Sequence, residues 1–488
     1  MITNAPILII AIPLLAAFLT HLTKYLKVKR SAEIVAILAL VCSFLVLLTT
    51  ANSIFSGKII NYNLGGWSAP FGISLQIDGL SFFFAALVLS VGTIIMVYSL
   101  GIYLYARRFY SLLLIALTGI LGIIMTRDIF NLYVFFEILA VASYVLITYK
   151  HKPRTITASF KYLIMTESTW VFFLLAIALL YSLTGTLNMN SIAAQMPHIF
   201  RANPQVVFLI FSIMLVSFGI KCGMYPLHTW IPEAHSQAPT PVSSLLSGLV
   251  LKVGLYAMIR VFYLFFGQTL LAAGFSNIII FFGLITIVYG ACLALVQEEL
   301  KRMLAYSSIN QIGVIMVGIG LGTQLGLEGA LFHIFNHALI KVALFFCAGI
   351  IISQTGFWRI SRMKGIWHQM PGVTFSFCLL SLAVIGIPPF NGFVSKLLII
   401  NAALQTHNYL IIFFLFTGII LTAAYYFRVI QTFFSPEEFH HKPDFKPNPV
   451  GAFEHVSTYF VAGLCLLFGL WPSLIIRLIQ PAVRVLLP

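Results

Sequence analysis

The chain has 488 residues, 60% of them hydrophobic and only 8% charged, with a mean hydropathy of +1.01. A soluble domain carries about 25% charged residues, so a soluble globular protein is excluded and a polytopic membrane protein is expected. The formal net charge is +15, but the basic residues fall between apolar runs rather than on one solvated face, which argues against a nucleic-acid partner.

Taken in order, the first apolar run, Ile7 to Leu22, has no charged stretch before it and Lys24, Lys27, Lys29 and Arg30 after it. That order fits a first spanning helix with its N-terminus outside, not a cleaved signal peptide. Apolar runs near the required length of roughly 20 residues begin close to residues 3, 33, 79, 109, 130, 160, 206, 241, 276, 303, 328, 372, 409 and 452. They predict an all-α polytopic membrane protein with about 14 transmembrane helices, numbered 1 to 14 in that order. With the N-terminus outside, the inner loops hold Lys24, Lys27, Lys29, Arg30, Arg107, Arg108, Lys150, Lys152, Arg154, Lys301, Arg302, Arg359, Arg362, Lys364, Lys442 and Lys446. The outer segments hold Lys58, Arg127, Arg201, Arg477 and Arg484. Sixteen against five is a positive-inside asymmetry that supports both the count and the topology, with both termini outside. The longest polar stretch, Ser435 to Pro449, is then an inner loop, and no nucleotide or cofactor domain is expected.

The six cysteines (Cys42, Cys222, Cys292, Cys347, Cys378 and Cys465) are isolated and lack CxxC spacing. Structural packing explains them better than disulfides, thiolate metal sites or a redox centre.

The stretch Phe218 to Gly254 brings charge and helix-breaking residues together. It places Lys221 and Lys252 within apolar segments, with Pro226, Pro232, Pro239 and Pro241 between them. A helix that breaks inside the membrane frees backbone groups, which is tolerated where protein or a water-filled cavity surrounds the break. Five helices later, helix 12 is disturbed at GIPPFNG, around Pro388 and Pro389, and Lys396 follows. Paired broken segments predict a repeat of five helices, helices 4–8 over residues 109–265 and helices 9–13 over residues 266–435. Residues 1–108 then carry helices 1–3, and residues 436–488 carry the inner loop and helix 14.

The ionisable residues left within helices are Glu137, Lys161, Glu167, Lys221, Lys252, His333, His337, Lys341 and Lys396. Glu137, Lys221, Lys252, Lys341 and Lys396 together forfeit on the order of 12–17 kcal/mol of insertion energy, so pairing or buried water must offset them. Lysine against carboxylate suits proton movement, because a moving acid switches the lysine between holding and releasing its proton. Glu137 and Lys221 are the expected pair; the bland alternative is a static ion pair that fixes helix packing. In FHIFNHALIK, His333, His337 and Lys341 fall at i, i+4 and i+8 on one helical face, a spacing suited to a proton relay through waters. The HxxxH spacing also occurs in metal half-sites, but no acidic or cysteine third ligand accompanies it, and a packed core histidine is the other reading. Lys161 begins helix 6 and is either an accessory group or a snorkelling one. Glu167 lies deeper with no assigned role, and Arg260 and Arg428 are expected to snorkel from helix ends.

The segments LQIDGLSFFFAAL (Leu75 to Leu87), TRDIFNLYVFFEILAVASYVLI (Thr126 to Ile147), LTGTLNM (Leu183 to Met189), the Phe218 to Gly254 stretch, EELKRMLAYSSINQIG (Glu298 to Gly313), FHIFNHALIKVALFFCAG and GIPPFNGFVSK resemble the antiporter-like membrane subunits. That family is shared by Mrp-type multisubunit cation/proton antiporters, membrane hydrogenases and the pumping arm of respiratory complex I. The resemblance implies fourteen helices in two inverted five-helix repeats, with helices 7 and 12 broken. It also implies roles for Glu137 in helix 5, Lys221 in helix 7, Lys252 in helix 8, Lys341 in helix 11 and Lys396 in helix 12. The lysines at the last positions and the FNLYVFFEILAVASYVL wording look most like the D-type Mrp subunits, and the chain lacks the long lateral C-terminal helix of the distal complex I pump subunit. The expected function is therefore proton translocation within a multisubunit Na+/H+ antiporter of a prokaryotic plasma membrane, with no cofactor and no metal of its own. A larger antiporter-like paralogue, small membrane subunits and lipid are the expected partners. The alternatives are a pumping subunit of a redox-driven complex and a scaffold whose buried charges only hold helices together.

Overall fold

The computed structural model describes residues 2–25, 30–104, 106–272, 274–436 and 450–487. Lys27, Lys29, Lys442, Lys446 and most of the Ser435 to Pro449 loop lie outside the described residues. Thirteen of the described helices are long and apolar enough to cross a membrane. They are helix 1 (Ala5–Leu22), 2 (Ser31–Thr49), 3 (Gly79–Ser99), 4 (Arg107–Met125), 5 (Ile129–Ile147), 6 (Pro153–Thr184), 7a (Pro204–Cys222), 8 (Thr240–Leu245, a π turn at Leu246–Val250, then Leu251–Ala272), 9 (Phe275–Val296), 10 (Leu300–Gly320), 11 (Gln324–Thr355), 13 (Tyr409–Phe433) and 14 (Ala452–Leu470). The fourteenth expected span, helix 12, is present as two shorter pieces, 12a (Pro371–Ile385) and 12b (Asn391–Gln405), and helix 7 continues after its break as 7b (Trp230–Gln237). The protein is an all-α polytopic membrane protein whose helices 7 and 12 are interrupted where the prolines fall.

Helix starts are written in short polar side chains. Asp78 accepts from the Ser81 N–H at 2.9 Å, Asp128 from Asn131 at 2.8 Å and Thr323 from Gly326 at 3.1 Å, each an N-cap that satisfies a donor the helix leaves free. Helices 7a and 12a both end on a glycine in the left-handed region, Gly223 (φ 86°) and Gly386 (φ 90°). A side chain is rarely accommodated there.

Helix 11 is the pillar of the fold. Its most apolar stretch is enclosed on all sides, and it packs against helices 8, 10, 12a, 12b and 14. A helix that is apolar all round has no face to give to water and is stable only when buried. Helices 1 and 13 instead leave large apolar side chains such as Phe18 and Phe413 exposed, as a lipid or subunit boundary requires. Three elements were not read from the sequence: a hairpin of Ile60–Asn63 with Ser74–Ile77, a helix at Met189–Ala202 between helices 6 and 7a, and a last helix at Ser473–Leu486 packed against helix 3.

Candidate functional site

The two breaks hold the first and last lysines of the expected set. At helix 7 the Gly223 and Met224 N–H groups both return to Gly219 O, at 2.9 and 2.8 Å, and the Ile220 carbonyl is taken by the Trp230 indole at 2.8 Å. Lys221 lies one turn before the break and is 5% exposed. Its ammonium makes no hydrogen bond among the described residues; it sits 4.5 Å from the Trp170 ring centre and 3.9 Å from Glu167 Oε1. The ion-pair partner is therefore Glu167, which the sequence left without a role, and not Glu137. Glu137 stands on helix 5 near enough to act electrostatically on both, but its buried Oε1 has no hydrogen-bond partner among the described residues. Glu167 is held from the other side by the Tyr144 hydroxyl, itself 2.6 Å from Thr166 Oγ1.

At helix 12 the same turn is closed differently. The Gly386 and Ile387 N–H groups return to Leu382 O at 3.0 and 3.1 Å, and Lys396, beyond the break, reaches back to donate to Val384 O at 2.7 Å and Ile385 O at 2.9 Å. A cation here satisfies the carbonyls at a helix C-terminus, where the helix dipole is negative.

Between these ends lie Lys252, Lys341 and the two histidines, all buried. Lys252 donates to Ser247 O inside the π turn of helix 8, and Ser247 Oγ meets Ser308 Oγ of helix 10 at 2.9 Å. Single π turns recur at functional positions because they displace a backbone carbonyl from the regular ladder. Lys341 donates to Leu304 O at 2.9 Å and to the Tyr426 hydroxyl at 3.4 Å. His333 lies 2.9 Å from Ser395 Oγ and 3.0 Å from Gln311 Oε1. The His337 ring is parallel to that of His333, with centres 6.3 Å apart, and neither of its nitrogens has a hydrogen-bond partner among the described residues. The structure thus buries Lys221, Lys252, His333, His337, Lys341 and Lys396, and gathers Lys252, His333, Lys341 and Lys396 near enough to His337 to act on it electrostatically. Lys161 stands apart: it is 52% exposed and pairs with Glu233 at 3.3 Å, because it lies on the outward face of the first turns of helix 6.

Two features escaped the sequence reading. Arg260 does not snorkel; it is 3% exposed and clamps Asp78 with bonds of 2.8 and 2.7 Å, while Arg127 holds the same carboxylate at 2.5 Å. Burial alone would raise the Asp78 carboxyl, but Arg260 and Arg127 outweigh it and hold the group well below the usual carboxylate range. The signal was an arginine within KVGLYAMIRVFYLFF, too deep to leave uncompensated, and an aspartate at the start of helix 3. Arg428 is half-buried and donates to Gln297 O. The second is His235 of helix 7b, fully buried with both ring nitrogens unpartnered among the described residues. It lies close to a cavity of about 650 Å³ lined by Lys150, Lys152, Arg154, Ser236, Thr240 and Lys301. Among the described residues no three metal-ligating side chains converge.

The family described as NADH:quinone oxidoreductase/Mrp antiporter, TM, matches residues 126–422, which include Lys221, Lys252, His333, His337, Lys341 and Lys396. The chain is 37% identical to the N subunit of the NADH-quinone oxidoreductase of Desulforudis audaxviator, over 88% of this chain and 86% of that protein. It is 34% identical to the D subunit of the Na(+)/H(+) antiporter of Alkalihalophilus pseudofirmus, over 84% of this chain and 82% of that protein. Its fold matches a chain of the membrane-bound sulfane sulfur reductase, an archaeal respiratory membrane complex, with a TM-score of 0.89 and 31% identity over 99% and 98% of the two chains. With its spans, its two broken helices and these relatives, the chain belongs to the NADH:quinone oxidoreductase/Mrp antiporter transmembrane family.

Proposed function

We propose that this chain is a proton-translocating membrane subunit of a multisubunit Mrp-type monovalent cation (Na+)/H+ antiporter. One observation supports the reading: four lysines, Lys221, Lys252, Lys341 and Lys396, lie buried within membrane-spanning segments, and among the described residues only Lys221 of the four has a carboxylate within ion-pair distance. Charged lysines held in this way cost insertion energy that a scaffold of apolar side chains would not. Each, however, can hold and release a proton. Protons enter at Glu137, Glu167 and Lys221, pass Lys252, and leave through the region of His333, His337, Lys341 and Lys396. In this reading residues 109–265 and 266–435 are the two inverted halves, both termini lie outside a prokaryotic plasma membrane, and a larger antiporter-like paralogue and small membrane subunits complete the assembly. Na+ is the exchanged cation.

The test is pH-driven Na+ flux in everted vesicles carrying the whole complex, with Lys221→Ala and Lys396→Ala. Assembly should persist and flux should fall by about 100-fold; loss of assembly in both would instead favour a scaffold. A redox-driven pump, in which electron transfer in partner chains drives the same proton movement, is the second reading. The 37% identity to an NADH-quinone oxidoreductase chain favours it. Mass spectrometry of the complex separates the two: iron–sulfur, nickel–iron or flavin-bearing partners would overturn the antiporter assignment.

A further inference from the structure

We propose that protons move between Lys341 and Lys396 along a file of hydroxyls on helices 10 and 13, namely Tyr426, Ser307, Tyr425 and Thr422. The proposal rests on the proton-translocation reading above and names the route within it.

The hydroxyls are contiguous. Lys341 Nζ donates to the Tyr426 hydroxyl at 3.4 Å, which lies 3.1 Å from Ser307 Oγ. The Tyr425 hydroxyl donates toward Ser307 Oγ at 3.0 Å and Thr422 Oγ1 at 3.4 Å, and the Thr422 hydroxyl donates to Gly418 O at 2.6 Å, with Asn310 Oδ1 at 3.2 Å. Thr422, Tyr425 and Tyr426 fall at i, i+3 and i+4 on helix 13 and so share the face turned to helix 10. All four hydroxyl residues are 0% exposed. A small space of about 10 Å³, lined by Asn310, Gly418 and Lys396 among others, is just large enough for one water molecule, and Thr422 is joined to its wall through Gly418 and Asn310.

The chemistry of the side chains separates this route from the histidine face. A hydroxyl both donates and accepts, so a row of them passes a proton when each oxygen takes one and gives one. An amide does not do this without losing its resonance form, and amides stand beside His333. Asn310 Nδ2 donates to Ile287 O at 2.8 Å, which turns Asn310 Oδ1 toward Thr422 and Gln311. Gln311 gives its N–H to that oxygen, so its own Oε1 faces His333 Nε2, and that nitrogen must carry the hydrogen. His333 is thereby fixed in one tautomer, with only Nδ1, facing Ser395, free to exchange. His337, the next group on the histidine face, has no hydrogen-bond partner at either nitrogen among the described residues.

In the step itself an N–H bond of the Lys341 ammonium breaks and its proton goes to the Tyr426 oxygen. With Ser307 turned to donate to Tyr425 and Thr422 turned away from Gly418 O, the Tyr426 proton passes to Ser307, the Ser307 proton to Tyr425, the Tyr425 proton to Thr422 and the Thr422 proton to a water in the space lined by Gly418 and Lys396. That water gives a proton to the neutral Lys396 amine. Lys341 is left as the amine and Lys396 as the ammonium, and the hydroxyls then rotate back.

The experiment measures proton flux and its solvent isotope effect in vesicles carrying the whole complex. Tyr425→Phe and Thr422→Val, which remove one oxygen each and little volume, should slow flux about tenfold or more, while Thr422→Ser restores it. Assembly is followed by native electrophoresis. If Tyr425→Phe does not assemble, the Thr422→Val and Thr422→Ser pair decides. Full flux in Thr422→Val or an equal defect in Thr422→Ser would overturn the route. Lys341→Ala separates the levels: if it abolishes flux while the hydroxyl variants do not, the route alone is wrong, and if it too retains flux, the proton-carrier reading fails with it.

Discussion

The two broken helices solve one problem in opposite ways. Each ends on a left-handed glycine, and each leaves carbonyls of its last turn without a helical partner. At helix 7 a neutral indole takes the freed carbonyl of Ile220, and Lys221 is left with a carboxylate at 3.9 Å and an aromatic face. At helix 12 the lysine itself takes the carbonyls of Val384 and Ile385. Lys221 thus faces acids on other helices, whereas Lys396 faces the backbone of its own broken span.

The sharpest contrast to both is the Arg127–Asp78–Arg260 cluster, where every charge is paired and fixed. Asp78→Asn leaves two buried guanidinium groups without a counter-ion and should cost about 3–5 kcal/mol, seen as a lowered melting temperature of the purified complex. Since the folded-state carboxyl is depressed, its contribution is complete above about pH 4 and is lost only as pH falls toward the folded value, so the two proteins should converge only in strong acid. A smaller effect tests the comparison itself. Lys396→Met strands two buried carbonyls and should destabilise by about 2–4 kcal/mol, whereas Lys221→Met removes an ammonium with no hydrogen bond among the described residues and should stay within about 1 kcal/mol of the parent. Equal losses in the two melting curves would break the distinction. The smallest effect sharpens it: Glu167→Gln removes the direct partner of Lys221 and should lower proton flux about tenfold, roughly 1.4 kcal/mol in the barrier. Unchanged flux would return the pairing to Glu137.

Most of the fold was legible because apolar length and punctuation are local properties. Runs near 20 residues announced the helices, and GIPPFNG together with the prolines after Lys221 announced both breaks. The pairing was not legible. Glu167 and Glu137 sit on adjacent helices, and nothing in the 3.6-residue period says which face of helix 6 turns toward helix 7. Asp78, Arg127 and Arg260 are far apart along the chain; the link between helices 4 and 5 is held to the Ser74–Ile77 strand, and helix 8 packs alongside, which brings them together. The spacing of His333, His337 and Lys341 says nothing of what surrounds them: Lys341 meets the Leu304 carbonyl of helix 10 and the Tyr426 hydroxyl of helix 13, and serine, threonine and tyrosine carry no charge that would mark them in the sequence.

The π turn of helix 8 has a geometric effect beyond the carbonyl it offers Lys252. One added residue in a turn rotates everything after it by about 100° relative to a continuous helix. Helix 8 therefore works as a crank. Its first arm, Thr240–Leu245, packs against helix 11, while its second, from Leu251 onward, packs against helix 7a. Lys252 is mounted at the elbow, so its ammonium bonds the π turn and lies toward the histidines and Lys341 of the central pillar while the helix beyond it runs on along helix 7a.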